Sequence, residues 1–389
     1  MCYNLRGKRN GCPAPKRRER MPCDALYIHV PFCERKCPYC DFYSVAADDT
    51  AMDAYTGAVI RALNSIPFAI VRLDTVYFGG GTPSILGGRR LAALLEAAKK
   101  QFGIAPNAEI TAECNPHSTL KDTLTQMRSA GFNRISLGMQ SAVDAQLHSL
   151  GRLHTVSDVV SAVHSAQDCG FKHLSLDLML ATPGQTPADI DEAVRLFDRL
   201  GVEHVSAYLL KIEEGTPFAR QNIAESCPDE DGQVLLYRHA VCALEQAGYR
   251  QYEISNFARG GRVARHNLKY WNCAEYLGIG PSAHSFIAGR RRFFPRDLAG
   301  FLSAENPWTL LCDDGAGGSP EEYLMLRLRL NEGIRWTDFT SRYPDFEING
   351  LCKKAEPMRR AGLLKLDDTG LRLTVDGFLL SNAVISELI

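Results

Sequence analysis

The sequence predicts an α/β protein, a parallel sheet covered by helices, followed by a small module of helices and a terminal hairpin. Apolar runs typical of buried strands recur six times, and helix-like stretches such as 88–101 and 187–200 lie between them. Parallel strands need crossover connections, so this alternation favours six β/α units. Periodicity alone does not separate a full barrel, a partial barrel and a doubly wound sheet. The runs are 26–30, 74–78, 108–113, 134–139, 173–180 and 204–210.

Composition narrows the class of protein. The 389 residues suffice for one large domain and a smaller one. Basic and acidic residues number 44 and 45, so no overall attraction to nucleic acid or a membrane surface is expected. No apolar run reaches the roughly 18 residues of a transmembrane helix. The 13 cysteines are scattered, which is typical of a reducing compartment and predicts a cytoplasmic protein.

The first residues differ from the rest in composition. Residues 1–24 are rich in Lys and Arg, carry few apolar side chains and are interspersed with Gly and Pro. Such a segment cannot bury enough apolar surface to fold, so a disordered basic arm is predicted. We assign it no function.

Three cysteines, Cys33, Cys37 and Cys40, follow the first strand closely. A continuous helix would place them on one face, but Pro31 and Pro38 disfavour a helix here and predict a loop. Structural zinc requires four ligands, and the fourth would have to be a residue such as His29. An iron–sulfur cubane held by three cysteines leaves one iron open to a small-molecule ligand. The residues alone leave a cluster, zinc and an inert loop open.

Polar or glycine residues also follow the next four strands. Chemistry gathers at the carboxyl ends of parallel strands, so these residues predict a polar rim facing the thiols. Hydrogen-bonding side chains on this rim predict a binding site for a zwitterionic nucleoside, because carboxylates can accept hydrogen bonds from ribose hydroxyls. The rim comprises Gly79–Gly81 with Thr82 and Pro83, Glu113 with Asn115 and Pro116, Gln140 with Arg152, and Asp177 with Thr182–Gln185.

The spacing C-x3-C-x2-C, with Tyr39 before the last cysteine, resembles the radical S-adenosylmethionine (SAM) superfamily. The segments LYIHVPFC, FGGGTP, TAECNP, LGMQS, LGR and DLML…PGQT are similar, in order, to its coproporphyrinogen oxidase and heme chaperone branch. The resemblance implies a partial (β/α)6 barrel and a [4Fe–4S] cluster on Cys33, Cys37 and Cys40 that binds SAM. It implies SAM contacts by Tyr27, Tyr39, Gly80, Gly81, Thr82, Glu113, Gln140, Arg152 and Asp177.

A second segment carries a histidine and two aromatic residues. His266 to Trp271 reads HNLKYW, which taken alone is typical of a satisfied histidine among core aromatics. It also resembles the HNxxYW segment of HemW-type heme chaperones. That resemblance implies heme binding, with His266 as axial ligand and Tyr270 or Trp271 stacked on the macrocycle. His284, in the Gly-rich loop after it, is the second candidate imidazole.

Four segments are expected. Residues 1–24 form the arm, 25–215 the core barrel, 216–305 a barrel-associated extension, and 319–389 a winged-helix-like domain after a linker at 300–319. Winged helices often bind DNA, but this one has no marked basic excess, so no nucleic-acid partner is predicted.

Function is predicted as a heme chaperone that delivers heme to an acceptor hemoprotein, whether membrane-associated or not. The first alternative is an oxygen-independent coproporphyrinogen III oxidase, a true enzyme. The oxidases carry a further cysteine two positions past the third, where this chain has Phe42. A zinc-stapled binding module is the more distant alternative. Enzymatic activity, catalytic residues and the oligomeric state are left open.

Overall fold

The core of the protein is a parallel sheet. The computed structural model describes residues 23–68, 72–116 and 120–389, so the basic arm predicted at 1–24 lies almost entirely outside the described residues. All six predicted strands form, and each pairs in parallel with the next along the chain. They are β1 (Ala25–Val30), β2 (Leu73–Gly80), β3 (Ile104–Cys114), β4 (Arg134–Gln140), β5 (His173–Leu180) and β6 (His204–Leu209).

Helices cross over between the strands and cover the outer face of the sheet. Apolar side chains such as Phe78 point outward and pack beneath them, with Phe78 and Phe132 5.0 Å apart between ring centroids. Thr155 and Thr186 begin two of these helices with capping boxes that satisfy the free N–H groups of the first turn. The helices are α1 (Asp49–Asn64), α2 (Gly87–Phe102), α3 (Leu120–Ala130), α4 (Asp144–Ser149), α5 (Val156–Asp168) and α6 (Pro187–Arg199).

The extension lengthens the sheet at both sides. One strand pairs in parallel with β1, and a short hairpin pairs antiparallel with β6. The segment expected as a linker instead contributes a strand to a second, three-stranded sheet, so that prediction was wrong. The elements are α7 (Pro217–Arg220), α8 (Glu230–Gln246), β7 (Arg250–Gln251), β8 (Asn256–Ala258), α9 (Arg265–Trp271), β9 (Leu277–Ile279), β10 (His284–Ile287), β11 (Arg290–Phe293), α10 (Leu298–Ser303) and β12 (Cys312–Ala316). Short 3-10 helices span Pro83–Leu86, Ile223–Ser226 and Pro307–Leu310.

The last segment contains helices and the predicted terminal hairpin. A backbone bridge between Glu253 and Leu330 and an ion pair between Arg238 and Asp376 join it to the extension. No helix in the described ranges is long and apolar enough to span a bilayer. The elements are α11 (Pro320–Arg327), β13 (Ile334–Arg335), α12 (Trp336–Arg342), α13 (Ile348–Arg360), β14 (Leu364–Asp367), β15 (Gly370–Leu373), α14 (Val375–Leu379) and α15 (Ser381–Leu388).

Candidate functional site

The inner face of the sheet is polar and lines a cavity of about 650 Å³. Side chains alternate between the two faces of a strand, so Tyr77 points inward where Phe78 points to the helices. Glu113 on β3, Ser136 on β4 and Asp177 on β5 also line this space. We call it the thiol cavity, because Cys33, Cys37 and Cys40 form part of its wall.

The cysteines lie on a loop, as Pro31 and Pro38 predicted. Backbone hydrogen bonds from Cys33 N to Val45 O (3.1 Å) and from Val45 N to Pro31 O (2.9 Å) close its base. Cys40 N donates to Cys37 O at 3.0 Å, which forms a turn between these two cysteines. All three thiols are free. The loop therefore presents three unbonded sulfur donors to one cavity, a donor set that fits an iron–sulfur cubane with one open iron.

The glycine-rich end of β2 packs directly against this loop. Gly81 N donates to Val30 O at 2.8 Å, and Thr82 N donates to Phe32 O at 2.7 Å. A Cβ atom on Gly81 would clash with the backbone carbonyl oxygen of Phe32. The close backbone contact requires glycine at position 81.

Arg152 links the loop to the strand ends. Its guanidinium donates to Cys37 Sγ (3.3 Å), Asn115 Oδ1 (2.9 Å) and Gly138 O (2.9 Å). Asn115 in turn donates to Thr82 Oγ1 at 3.1 Å, and that hydroxyl lies 3.5 Å from Cys33 Sγ. Two of the three sulfur atoms thus have a polar neighbour on the rim.

Two half-buried carboxyl groups face the same cavity. Glu113 accepts hydrogen bonds from the Tyr77 hydroxyl (2.8 Å) and Gly80 N (3.1 Å), and burial raises its pKa to about 7. Asp177 accepts from Ser136 Oγ at 3.2 Å, and burial raises its pKa to about 6. Both groups retain acceptor capacity that could serve the hydroxyl groups of a nucleoside.

Eight of the nine predicted SAM residues line the thiol cavity. The exception is Tyr27, whose ring stacks on Tyr77 at 6.2 Å between centroids and faces a separate pocket. Gln140 holds a positive φ of 70° at the end of β4, a backbone strain of the kind that clusters at functional sites. Its amide oxygen accepts from the Tyr208 hydroxyl at 2.9 Å.

Sequence reasoning missed Tyr77 and Tyr208 as members of this site. They could have been found from strand alternation, because Tyr77 precedes Gly79 by two residues and Tyr208 lies two residues after Ser206. Asn115, which the sequence places on the rim just after Glu113, lines the cavity. Lys211 also lines the cavity and pairs with Glu213 at 2.6 Å.

The smaller pocket is lined mainly by rings, and we call it the aromatic pocket. Its volume is about 270 Å³. His29, the zinc ligand considered above, lies here rather than with the thiols, and its two ring nitrogens are hydrogen-bonded to the Tyr27 hydroxyl and Tyr43 O. Across the described residues, no three His, Cys, Asp or Glu side chains converge on one ion-sized point. The lining residues are Tyr27, His29, Phe42, Tyr43, Tyr270, Tyr276, Ser282, His284 and Arg296.

The residues of the HNLKYW segment lie in different surroundings. His266 is 0% exposed, and its ring nitrogens are hydrogen-bonded to Thr75 Oγ1 and the Tyr270 hydroxyl, each at 2.8 Å. Burial lowers the pKa of this imidazole to about 3. The Tyr270 ring reaches the aromatic pocket, and Trp271 is half-buried outside it.

Known proteins similar to this chain share both its barrel and its C-terminal part. Residues 27–197 match the radical SAM superfamily, and residues 319–380 match the HemN C-terminal domain. The heme chaperone HemW of Mycobacterium tuberculosis is 36% identical over 381 residues, which cover 94% of each chain. The chain belongs to the HemW family of radical SAM proteins. Membership of this superfamily implies a [4Fe–4S] cluster and SAM.

Two further relatives are similar to this chain in sequence, and one solved structure is similar to it in fold. Escherichia coli HemW is 35% identical over 342 residues, covering 86% of this chain and 88% of that protein. The mitochondrial radical S-adenosyl methionine domain-containing protein 1 of Bos taurus is 33% identical, covering 94% of this chain and 87% of that protein. The E. coli coproporphyrinogen III oxidase HemN has a TM-score of 0.81 over 95% of this chain and 90% of its own, at 21% identity. The shared fold confirms the predicted radical SAM architecture.

Proposed function

We propose that this protein is a heme chaperone, which binds heme and transfers it to an acceptor hemoprotein. In the same proposal Cys33, Cys37 and Cys40 hold a [4Fe–4S] cluster that binds SAM. The observation that carries the second part is the position of three free thiols in one cavity with the carboxyl groups of Glu113 and Asp177. The first part rests on the relatives named heme chaperone HemW.

The cavity residues divide into those that hold the loop and those that would contact SAM. When bound, the cluster supplies an iron not ligated by protein, to which amino and carboxylate groups can coordinate. Glu113 and Asp177 would accept hydrogen bonds from ribose hydroxyls, and Gly80 and Gly81 let the backbone approach the ligand. Arg152 and Thr82 orient the loop through Cys37 and Cys33. Tyr27 would act indirectly, by packing against Tyr77.

The residue at position 42 favours the chaperone function over the oxidase function. Phe42 stands where the resemblance places a cysteine in the oxidases, and its side chain is 68% exposed at the border of both cavities. A phenyl ring can neither ligate iron nor transfer a proton. It does supply apolar surface on which a planar apolar cargo could pack.

The proposal is tested with the full chain, reconstituted without oxygen with iron and sulfide. We expect about four irons per chain, and their loss in a Cys33→Ala/Cys37→Ala/Cys40→Ala variant but not in Cys242→Ala, an exposed thiol on α8. Heme added to the reconstituted protein should give a Soret band, which apo-hemoprotein should then acquire. Stable zinc in place of iron would overturn the cluster, and turnover of coproporphyrinogen III would favour an oxidase.

The free thiols agree with a reducing compartment, and we propose a cytoplasmic location on that ground. Tyr270 reaches the aromatic pocket and stays in the proposed heme site, whereas its neighbour Trp271 lies outside that pocket. His266 would have to leave Thr75 and Tyr270 and become exposed before it could ligate iron.

A further inference from the structure

Three imidazoles lie on or beside the aromatic pocket, and only one is open to a ligand. His266 and His29 each have both ring nitrogens hydrogen-bonded to protein atoms. The third is His284, which is exposed at the start of β10 and lines the pocket. Within the described ranges its ring makes no hydrogen bond, and its one ring–ring contact is a stack on Phe293, at 5.5 Å between centroids.

The fold brings His284 to the functional edge of the sheet. Strand β9 pairs in parallel with β1, so its carboxyl end lies on the same edge as the start of the cysteine loop. Gly280, with a φ of 110°, and Ser282, with a φ of 70°, then turn the chain sharply before His284. Ser282 N donates to Phe294 O at 3.1 Å, which holds this turn against the residue that follows β11.

A cation and an exposed ring lie beside this imidazole. Arg296 lines both the aromatic pocket and the thiol cavity, is largely exposed, and pairs with Asp41 at 3.5 Å. Phe42 also lines both spaces. An exposed ion pair of this length is weak, so Arg296 can exchange Asp41 for another carboxylate at little cost.

These side chains match the three chemical features of heme, which are an iron that accepts imidazole, an apolar macrocycle and propionate carboxylates. We propose that heme binds at the mouth of the aromatic pocket, with His284 on the iron, Arg296 on a propionate and Phe42 against the macrocycle. This assignment rests on the proposed heme-binding function. The pocket is smaller than the roughly 300–1,000 Å³ of sites that enclose a drug-sized ligand. One edge of the macrocycle therefore inserts and the rest stays accessible, as transfer requires.

The test is a heme titration of the full chain, followed by the Soret band, with His284→Gly and Arg296→Gln as variants. His164→Gly, at an exposed histidine on α5, is the matched control. We expect His284→Gly to raise the Kd at least about tenfold and to shift the Soret band, and added free imidazole to restore the wild-type spectrum. Arg296→Gln should raise the Kd without shifting the band.

The outcomes separate this assignment from the function on which it rests. A wild-type chain that binds no heme overturns the chaperone function and the site with it. A wild-type chain that binds heme while His284→Gly shows the same Kd and band position overturns the His284 site alone. Thermal melts of each variant, compared with His164→Gly, show whether lost binding reflects unfolding.

Discussion

His266 Nε2 lies 2.8 Å from the Tyr270 hydroxyl, one helical turn away on α9, while Nδ1 lies 2.8 Å from Thr75 Oγ1 on β2. The same imidazole stacks on Tyr77, at 5.2 Å between centroids. The backbone N–H groups of Arg265 and His266 donate to Glu109 on β3. These bonds fix α9 across two strands, so the histidine of the HNLKYW segment is part of the internal structure of the barrel.

The first prediction concerns this histidine. His266→Ala should lower the free energy of unfolding by about 2–4 kcal/mol, because it empties a fully buried site and leaves the buried Thr75 hydroxyl and the half-buried Tyr270 hydroxyl without their partner. Urea denaturation at pH 7 measures the loss. His239→Ala, at a half-exposed histidine on α8, is the control. Unchanged stability with loss of the heme spectrum would instead make His266 a heme ligand.

The second prediction concerns the glycine at the end of β2. Gly81→Ala should destabilise the protein by about 1–3 kcal/mol, because the new Cβ meets backbone atoms of Phe32 that cannot rotate away. Gly350→Ala on α13 is the matched control, since a Cβ there meets nothing within 4 Å. It should stabilise the chain by up to about 1 kcal/mol. Equal effects of the two substitutions would contradict the close contact at position 81.

The third prediction concerns pH. The pKa of Glu113 is raised from 4.5 to about 7 by burial, so the folded state binds more protons than the unfolded state between these values. The free energy of unfolding contributed by this group is therefore full below pH 4.5 and is lost as pH rises through about 7. Glu113→Gln should remove that loss and gain up to about 3 kcal/mol over wild type at pH 8, in protein without cofactor.

The measurement is chemical denaturation from pH 4.5 to pH 8. Glu96→Gln, an exposed carboxylate on α2, is the control and should follow the wild-type profile. A constant difference between Glu113→Gln and wild type over this range would show that Glu113 does not titrate as the structure requires.

The fourth prediction concerns Arg152. Arg152→Gln should raise the Kd for SAM by about 10–100-fold in cluster-loaded protein, because charge-assisted hydrogen bonds to Cys37 and Asn115 are lost. The Kd of Arg152→Lys should lie between those of wild type and Arg152→Gln, since a single ammonium group cannot reproduce the forked hydrogen bonds of a guanidinium. Equilibrium dialysis of labelled SAM gives the Kd, with Arg195→Gln as an exposed control. Tight binding by Arg152→Gln would remove Arg152 from the site.

Much of this arrangement could be predicted from the sequence, because strand periodicity and the rule that ligands gather at carboxyl strand ends are local signals. They located the β-strands and the rim residues Glu113 and Asp177. The residues of the HNLKYW segment, taken alone, predicted a buried and hydrogen-bonded His266, and the structure agrees. Its partner Thr75 could not be predicted, because it lies 191 residues away in the sequence.

Strand β12 was missed for a different reason. Its sequence, CDDGA, lacks the apolar alternation on which strand prediction depends. It pairs with the arginine-rich β11, and Arg290 forms an ion pair with Asp313 across the two strands. Charge complementarity across strands stabilises this pairing, and that signal appears only when the partner strand is known.

The two margins of the main sheet have a consequence for how the protein meets other chains. In the described part of the chain, the outermost strands are β7, with two residues, and β9, with three. A longer unpaired margin would present a row of backbone groups that recruits strands from neighbouring molecules, which is the usual beginning of aggregation. Two margins this short offer few unpaired backbone groups, so the main sheet of this protein is protected against that hazard.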